Sequence, residues 1–290
     1  DLSVARVFEG HMNAVKLVML YGCERLREEL ARQVHDGTLL GVWGADDPDD
    51  PIRIERAGDG LVLRGAKRFA SGLRLVGSAV ITAGDGDDLQ MMLVPTRDDA
   101  RADPTGWRMS GMSATQSGRY DFNGVKLQDH LLVGKPGDLL AEPWFEGGIW
   151  RYCAAHLGAA ETLHSEMCKA LSARDRHRDT NQQARIAQSA IAIETMRLWL
   201  RRCAIEVEAA DAGPDKAALS LFAREVTANE CRRIISLVEQ SLGMAAFVEG
   251  SVIDAMRRDL SLFLCQARPD AKRAAAVDML LARSTLVEEL

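Results

Sequence analysis

His156 and His164 stand eight residues apart in a run with helical periodicity, a spacing that puts two imidazoles on one face of a helix as potential metal ligands. Ala160 occupies the place between them where a further ligand would sit. The chain has neither His-Glu-x-x-His nor a His/Cys grouping at zinc spacing, so no metal site is expected. Nucleophile patterns are equally thin: there is no Gly-x-Ser-x-Gly, and Ser71, in Phe-Ala-Ser-Gly, has no His close by in sequence. Gly84-Asp85-Gly86 is followed by Asp87 and Asp88, which would repel a phosphate, so this glycine pair reads as a hairpin tip. The acidic stretch ADDPDDP at 45–51 has the oxygens for a divalent ion, although a solvated loop is the plainer reading. Cys23, Cys153, Cys168, Cys203, Cys231 and Cys265 form no Cys-x-x-Cys pair, which suits reduced core thiols in a cytoplasmic protein.

The elements that must position such groups fall into three textures. Residues 1–36 carry two amphipathic helical patterns, the second, CERLREELARQVHDG, ending at Gly37. From about 40 to 136 the period changes. PIRIERAGDGLVLRGAKRF alternates around Gly58-Asp59-Gly60 as a β-hairpin, and SAVITAG, LQMMLVP and GRYDFNGVKL read as further short strands of a barrel or sandwich. From about 144 to 285 long Ala- and Leu-rich runs return; Pro214-Asp215 and Gly243 mark breaks, and Pro269-Asp270-Ala271 opens a last helix, predicting a bundle of four helices.

With 290 residues, 47% of them hydrophobic and 27% charged, the chain can build full cores and is not disordered. A net charge of −6 argues against a broad nucleic-acid footprint. Apolar runs such as VKLVML at 15–20 are too short to span a bilayer, and no export signal is visible. The start at Asp1 rather than Met suggests a missing amino terminus.

Four strings then occur in order. They are GVWGADDP at 41–48, GDGLVLRGAKRFASG at 58–72, GWRMSGMSATQSGRYDFNGVKLQDHLLVG at 106–134 and QSLGMAAFVEGSVIDAMRRD at 240–259. Together they resemble the acyl-CoA dehydrogenase family over nearly the whole chain. The resemblance implies an α+β multidomain fold: a remnant of the amino-terminal helical domain (1–40), a middle β-barrel (41–137) and a carboxy-terminal four-helix bundle (138–290). It also implies FAD, whose own chemistry carries the redox step. By resemblance, the main chain around Trp43 and Ala45 runs beside the isoalloxazine ring, Phe69 replaces the family's Trp against it, and the Ser71 hydroxyl lies near flavin N5. Gln240 and Gly243 match a turn that holds the pyrophosphate and adenine end across a dimer interface, although Met244 stands where the family has a second Gly. Arg174, or else Arg176, matches the arginine early in the bundle. A shared site of this kind implies a homodimer or homotetramer, with a heteromer as the alternative.

The family's catalytic base is where the pattern fails. Eight positions after Asp259, where most members place a Glu, stands Ala267; ten before Gly158, where a subgroup supplies it instead, stands Gly148. Glu146 lies two residues from the second place and reaches inward only if the chain is not yet α-helical there. The expected function is an FAD-dependent oxidoreductase acting on an acyl-CoA or related small substrate, with Glu146 as the candidate base. Three alternatives stay open: a flavin monooxygenase of the same fold, a non-catalytic subunit sharing an FAD site in a heteromeric dehydrogenase, and a binding protein with the fold alone. The electron acceptor is not legible.

Overall fold

The computed structural model describes residues 1–58, 60–266 and 268–282. They form two compact units. One holds Ser3–Met109 and Ser113–Ala141; the other holds Asp1–Leu2, Ser110–Met112 and the chain from Glu142 onward.

In the first unit, α1 (Leu2–Tyr21) and α2 (Glu24–His35) precede ten short strands. A four-stranded sheet runs in the order β1-β5-β6-β10, built from Leu39–Trp43, Val76–Ala83, Gln90–Pro95 and Leu132–Val133. Its alternation sets two cores. Val80, Met91 and Leu93 face Ala14, Val18, Leu26 and Leu30 of the two helices, whereas Ile81, Met92 and Val94 face a second cluster containing Trp43, Leu63, Tyr120 and Phe122. Burial on both faces explains why SAVITAG and QMMLVP read as continuous apolar runs. It also ties the first 40 residues to the strands: the two helices share a core with the sheet and belong to the same unit.

The expected barrel is not closed. The remaining strands form two further sheets, β2-β3-β9 (Arg53–Ala57, Gly60–Arg64, Lys126–Leu127) and β4-β8-β7 (Ala66–Ala70, Gly118–Asp121, Ala102–Asp103). Three strands have only two residues each, too few to ladder one sheet edge to the next. The β4–β8 pairing also slips between Lys67 and Ala70. The β2–β3 hairpin around Gly58 forms as the alternation predicts, pairing Arg53 with Arg64 and Ala57 with Gly60.

The second unit is helical: α3 (Trp150–Ala173), α4 (Thr180–Val207), α5 (Ala217–Leu242), α6 (Val252–Phe263) and α7 (Pro269–Leu281). Three helices are long, with 24, 28 and 26 residues, and the expected fourth is replaced by two of 12 and 13. The break falls at Arg268, whose backbone is left-handed (φ 54°), followed by Pro269 at the first turn of α7. His164 bonds Ser189 and Arg197 pairs with Glu161, so α3 and α4 are antiparallel. Ser220 bonds the Gly147 carbonyl and Arg224 bonds Tyr152, so α3 and α5 run the same way. The segment 110–112 is held within this unit: Asp259 accepts the Met112 N–H at 2.6 Å and Arg258 donates to the Ser110 carbonyl at 2.7 Å. Gly111 permits that approach, since a Cβ there would lie 2.5 Å from the Arg258 carbonyl oxygen.

Among the described residues no helix is long and apolar enough to cross a membrane, and no group of three or more His, Cys, Asp or Glu side chains is placed to hold a metal ion. All six cysteines are free, but only Cys153, Cys203 and Cys231 are buried; Cys23 and Cys265 are exposed, so the expectation of core thiols fails for those two, which fall outside the helices, just before α2 and just after α6.

Candidate functional site

Four of the expected site residues come together on the first unit, and the reason begins with a buried lysine. Lys67 is fully buried on β4. Its Nζ donates to the Gly44 carbonyl (3.1 Å), Asp46 Oδ1 (2.6 Å) and Thr82 Oγ1 (3.0 Å). Burial pushes its pKa below the usual lysine range, against the pull of Asp46. The Ala45 carbonyl accepts the Arg68 N–H at 3.0 Å. The carbonyls at 44 and 45 are thus held from inside, while Gly44 and Ala45 are exposed. Trp43, by contrast, is 2% exposed and packs against Tyr120 and Phe122, so its ring cannot face a ligand; its indole N–H donates to the Ser71 carbonyl at 3.0 Å.

Beside that anchor, Phe69 has φ 56° and is 50% exposed. A left-handed backbone at a bulky aromatic residue costs about 1–2 kcal/mol, and such outliers gather at ligand sites. The Arg68 guanidinium lies 4.9 Å from the Phe69 ring centroid, and Trp107 meets the ring edge-on at 6.4 Å. Ser117 donates to the Ser71 hydroxyl at 3.2 Å and shares a 2.8 Å hydrogen bond with Thr115. A cavity of about 260 Å³ adjoins, lined by Leu73, Arg74, Trp107, Ser113, Gln116 and Ser117. Arg74 and Gln116 are also left-handed, at φ 65° and 46°. An exposed ring, a guanidinium and a row of hydroxyls suit a planar heteroaromatic ligand with polar edges. Sequence reasoning named none of Trp107, Ser113, Gln116 or Ser117 individually, although GWRMSGMSATQSG contains them all.

On the helical unit, Arg174 and Arg176 follow α3 and are exposed, while Gln240 and Gly243 close α5. Because α3 and α5 run the same way, these four residues share one end of the bundle. Neither arginine has an ion-pair partner among the described residues. Gln240 donates to Ser236 at 2.9 Å, and Gly243 (φ 59°) ends the helix with open space around its Cα.

Glu146 lies at the opposite bundle end. The chain there is a short 3-10 turn, Gly147–Ile149, rather than an α-helix. Both Glu146 carboxylate oxygens nevertheless accept from Lys272 Nζ at 2.6 Å, and its N–H donates to Glu142. Burial raises the Glu142 pKa, partly offset by the Glu146 and Gly147 amides. Gly148 is buried; Ala267 lies outside the described residues.

One turn beyond Gly148, a polar cluster that sequence reasoning missed fills the bundle interior. Arg224 Nε donates to the Tyr152 hydroxyl at 3.2 Å, and its Nη2 donates to the carbonyl of Gln266, the neighbour of position 267, at 3.4 Å. His156, one turn further along α3, stacks edge-on against Phe263 at 4.5 Å, with Nε2 lacking a hydrogen-bond partner among the described residues. Burial, aided by the Arg224 charge, lowers the His156 pKa to about 3 and leaves a neutral imidazole. Burial likewise drives the Tyr152 phenol upward. The carboxylates that adjoin these two places are both ion-paired: Glu225 with Arg224 at 2.9 Å and with Arg273, and Glu146 with Lys272.

No protein-family model and no curated protein matches this sequence. Solved structures do match its fold. Methanesulfinate monooxygenase MsuC from Pseudomonas fluorescens superposes with a TM-score of 0.82 at 20% identity, over 98% of this chain and 80% of that one. FMN-bound TdsC from a Paenibacillus species, a dibenzothiophene monooxygenase, gives 0.86 at 20% identity, over 99% and 82%. Butyryl-CoA dehydrogenase from Megasphaera elsdenii gives 0.82 at 16% identity, over 97% and 78%.

Proposed function

We propose that this chain, which has the acyl-CoA dehydrogenase fold, is a flavin-dependent oxidoreductase whose chemistry is oxygen insertion into a small organic substrate rather than dehydrogenation of an acyl-CoA. The observation that carries the choice is the Tyr152–Arg224–His156 cluster beside Gly148 and Gln266. Dehydrogenation needs a carboxylate that abstracts an α proton. Here the Tyr152 oxygen keeps its proton, Arg224 is held between Tyr152 and Glu225, and His156 stays neutral. The carboxylate that touches the cluster, Glu225, is tied up by Arg224 and Arg273, so the cluster supplies no base for proton abstraction. The fold-mates MsuC and TdsC, both monooxygenases, support the same choice.

The residues on the first unit fit a flavin. Phe69, with its exposed ring, and the Ser71 hydroxyl would hold the isoalloxazine, and Ser113, Gln116 and Ser117 line the adjoining cavity with polar groups that would meet its edges. Gln240, Gly243, Arg174 and Arg176 would hold the pyrophosphate and adenine end of FAD from a second chain. Flavin, bound and reduced, would supply the two electrons that let one atom of dioxygen enter the substrate and the other leave as water.

A second reading, acyl-CoA dehydrogenation with Glu146 as base, rests on the non-α-helical turn at 147–149 that frees Glu146 from the wrong helix face. Lys272 on both carboxylate oxygens weighs against it. The two separate in one experiment. The flavin-loaded protein is mixed anaerobically with acyl-CoA thioesters and, separately, reduced and exposed to heavy-isotope dioxygen with organosulfur and aromatic compounds. Isotope in the organic product without thioester-driven bleaching is expected. Bleaching by a thioester with no isotope incorporation would overturn the proposal in favour of dehydrogenation.

A further inference from the structure

A second cavity, of about 420 Å³, opens on the first unit where β1 and β5 begin. The parallel register slips there: Leu39 pairs with Val76 but Leu40 with Ser78, so Gly77 is an extra residue on β5. A Cβ at Gly77 would lie 2.7 Å from Thr38 Cγ2 and 3.1 Å from Arg97 Nε, so the glycine lets Arg97 lie across the bulge. Arg97 Nη2 donates to Thr38 Oγ1 at 2.9 Å, which fixes the guanidinium at the cavity wall. Arg74 lines the same cavity from its left-handed backbone, strain of a kind that gathers at ligand clamps. Among the described residues neither arginine has an ion-pair partner, although Asp36 and Asp99 also line the cavity. Leu39 and Leu75, 38% and 49% exposed, supply apolar walls.

We propose that this cavity binds a small organic monoanion, a carboxylate or similar oxyanion head on an apolar body. Two guanidinium forks without carboxylate partners offer paired N–H donors to the oxygens of such a head. The half-exposed leucines cover the body, and the apolar area they bury adds affinity that an inorganic anion cannot gain. Asp36 and Asp99 set the charge of the ligand. Each repels a second negative charge, so a phosphate dianion is refused where a monoanion is accepted. The volume lies within the range of small-molecule sites. Arg74 also borders the cavity beside Ser117, whereas Arg97 lines the larger one only. The inference does not depend on the flavin reading.

Calorimetric titration of the purified chain at fixed ionic strength tests the site, with hexanoate as the probe. Hexanoate should bind saturably, and hexanamide and inorganic phosphate each at least tenfold more weakly. Arg97→Gln, at an exposed position, should keep its circular dichroism and weaken hexanoate at least tenfold. Arg74→Gln should weaken it similarly, a second variant that stands if the first fails to fold. The double variant Asp36→Asn/Asp99→Asn should narrow the gap between hexanoate and phosphate. Absence of saturable hexanoate binding by the folded chain overturns the proposal. So does equal affinity for hexanamide or phosphate, or hexanoate affinity unchanged in a folded Arg97→Gln or Arg74→Gln. An unchanged gap between hexanoate and phosphate in the double variant overturns the monoanion assignment.

Discussion

The indole N–H of Trp43 donates to the main-chain carbonyl of Ser71 at 3.0 Å, tying the end of β1 to the turn that carries the Ser71 hydroxyl. Trp43 is buried and Ser71 partly exposed, so a core residue fixes the main chain of a residue in the proposed flavin site. Trp43→Phe keeps the packing and removes the donor. Stability should fall by about 1–2 kcal/mol and flavin affinity should weaken with it, measured by denaturant melts and flavin titration. A loss of stability with unchanged flavin affinity would separate the two roles.

Phe69 invites a second test because its backbone strain and its exposed ring act in opposite directions. Phe69→Gly relieves the left-handed φ of 56° and removes a half-exposed ring. The two effects leave stability within about 1 kcal/mol of the parent. Flavin affinity should drop by about tenfold or more, an aromatic contact of this kind being worth about 0.5–1.5 kcal/mol beyond the buried area.

The buried His156 sets an acid limit on stability. Its pKa is about 3 in the folded chain against 6.5 for a free imidazole. Between those values the unfolded chain binds a proton that the folded chain refuses. The stabilisation is therefore complete above about pH 6.5 and is lost as pH falls towards 3, a change on the order of a few kcal/mol. His156→Gln should flatten the acid limb of a stability-versus-pH curve, read by urea melts from neutral pH downward.

Glu146 and Tyr152 give a paired test of the chemistry. Glu146→Gln weakens the bonds to Lys272 and should cost about 1–3 kcal/mol of stability with flavin binding and turnover nearly unchanged. Were Glu146 the base, turnover would fall by about 10²–10⁴-fold. Tyr152→Phe removes the hydroxyl that meets Arg224 and should lower kcat while sparing flavin affinity.

Much of the fold was legible because it is local. The β2–β3 hairpin follows from alternation around Gly58, and the long bundle helices from their period. The break at Arg268–Pro269 was half legible: Pro269 marks the start of α7, but nothing nearby says that α6 stops at Phe263. The division into three sheets was not, since it depends on two-residue strands and on the slip at Lys67 to Ala70, which only tertiary packing decides. The Tyr152–Arg224 pair was hidden for the same reason. Its members lie 72 residues apart, and on their own helices they read as ordinary periodic positions. His156 drew attention as a possible ligand by its spacing to His164. What the spacing could not convey is its burial, which makes it a neutral core group.

The central claim is that the rim around Phe69 and Ser71 binds a flavin ring. Titration of FAD and of FMN with the purified chain, followed by quenching of flavin fluorescence, tests it most directly. The account predicts saturable binding of one flavin ring per chain, weakened at least tenfold in Phe69→Gly while that variant keeps its fold. A folded, assembled protein that binds neither FAD nor FMN would contradict it.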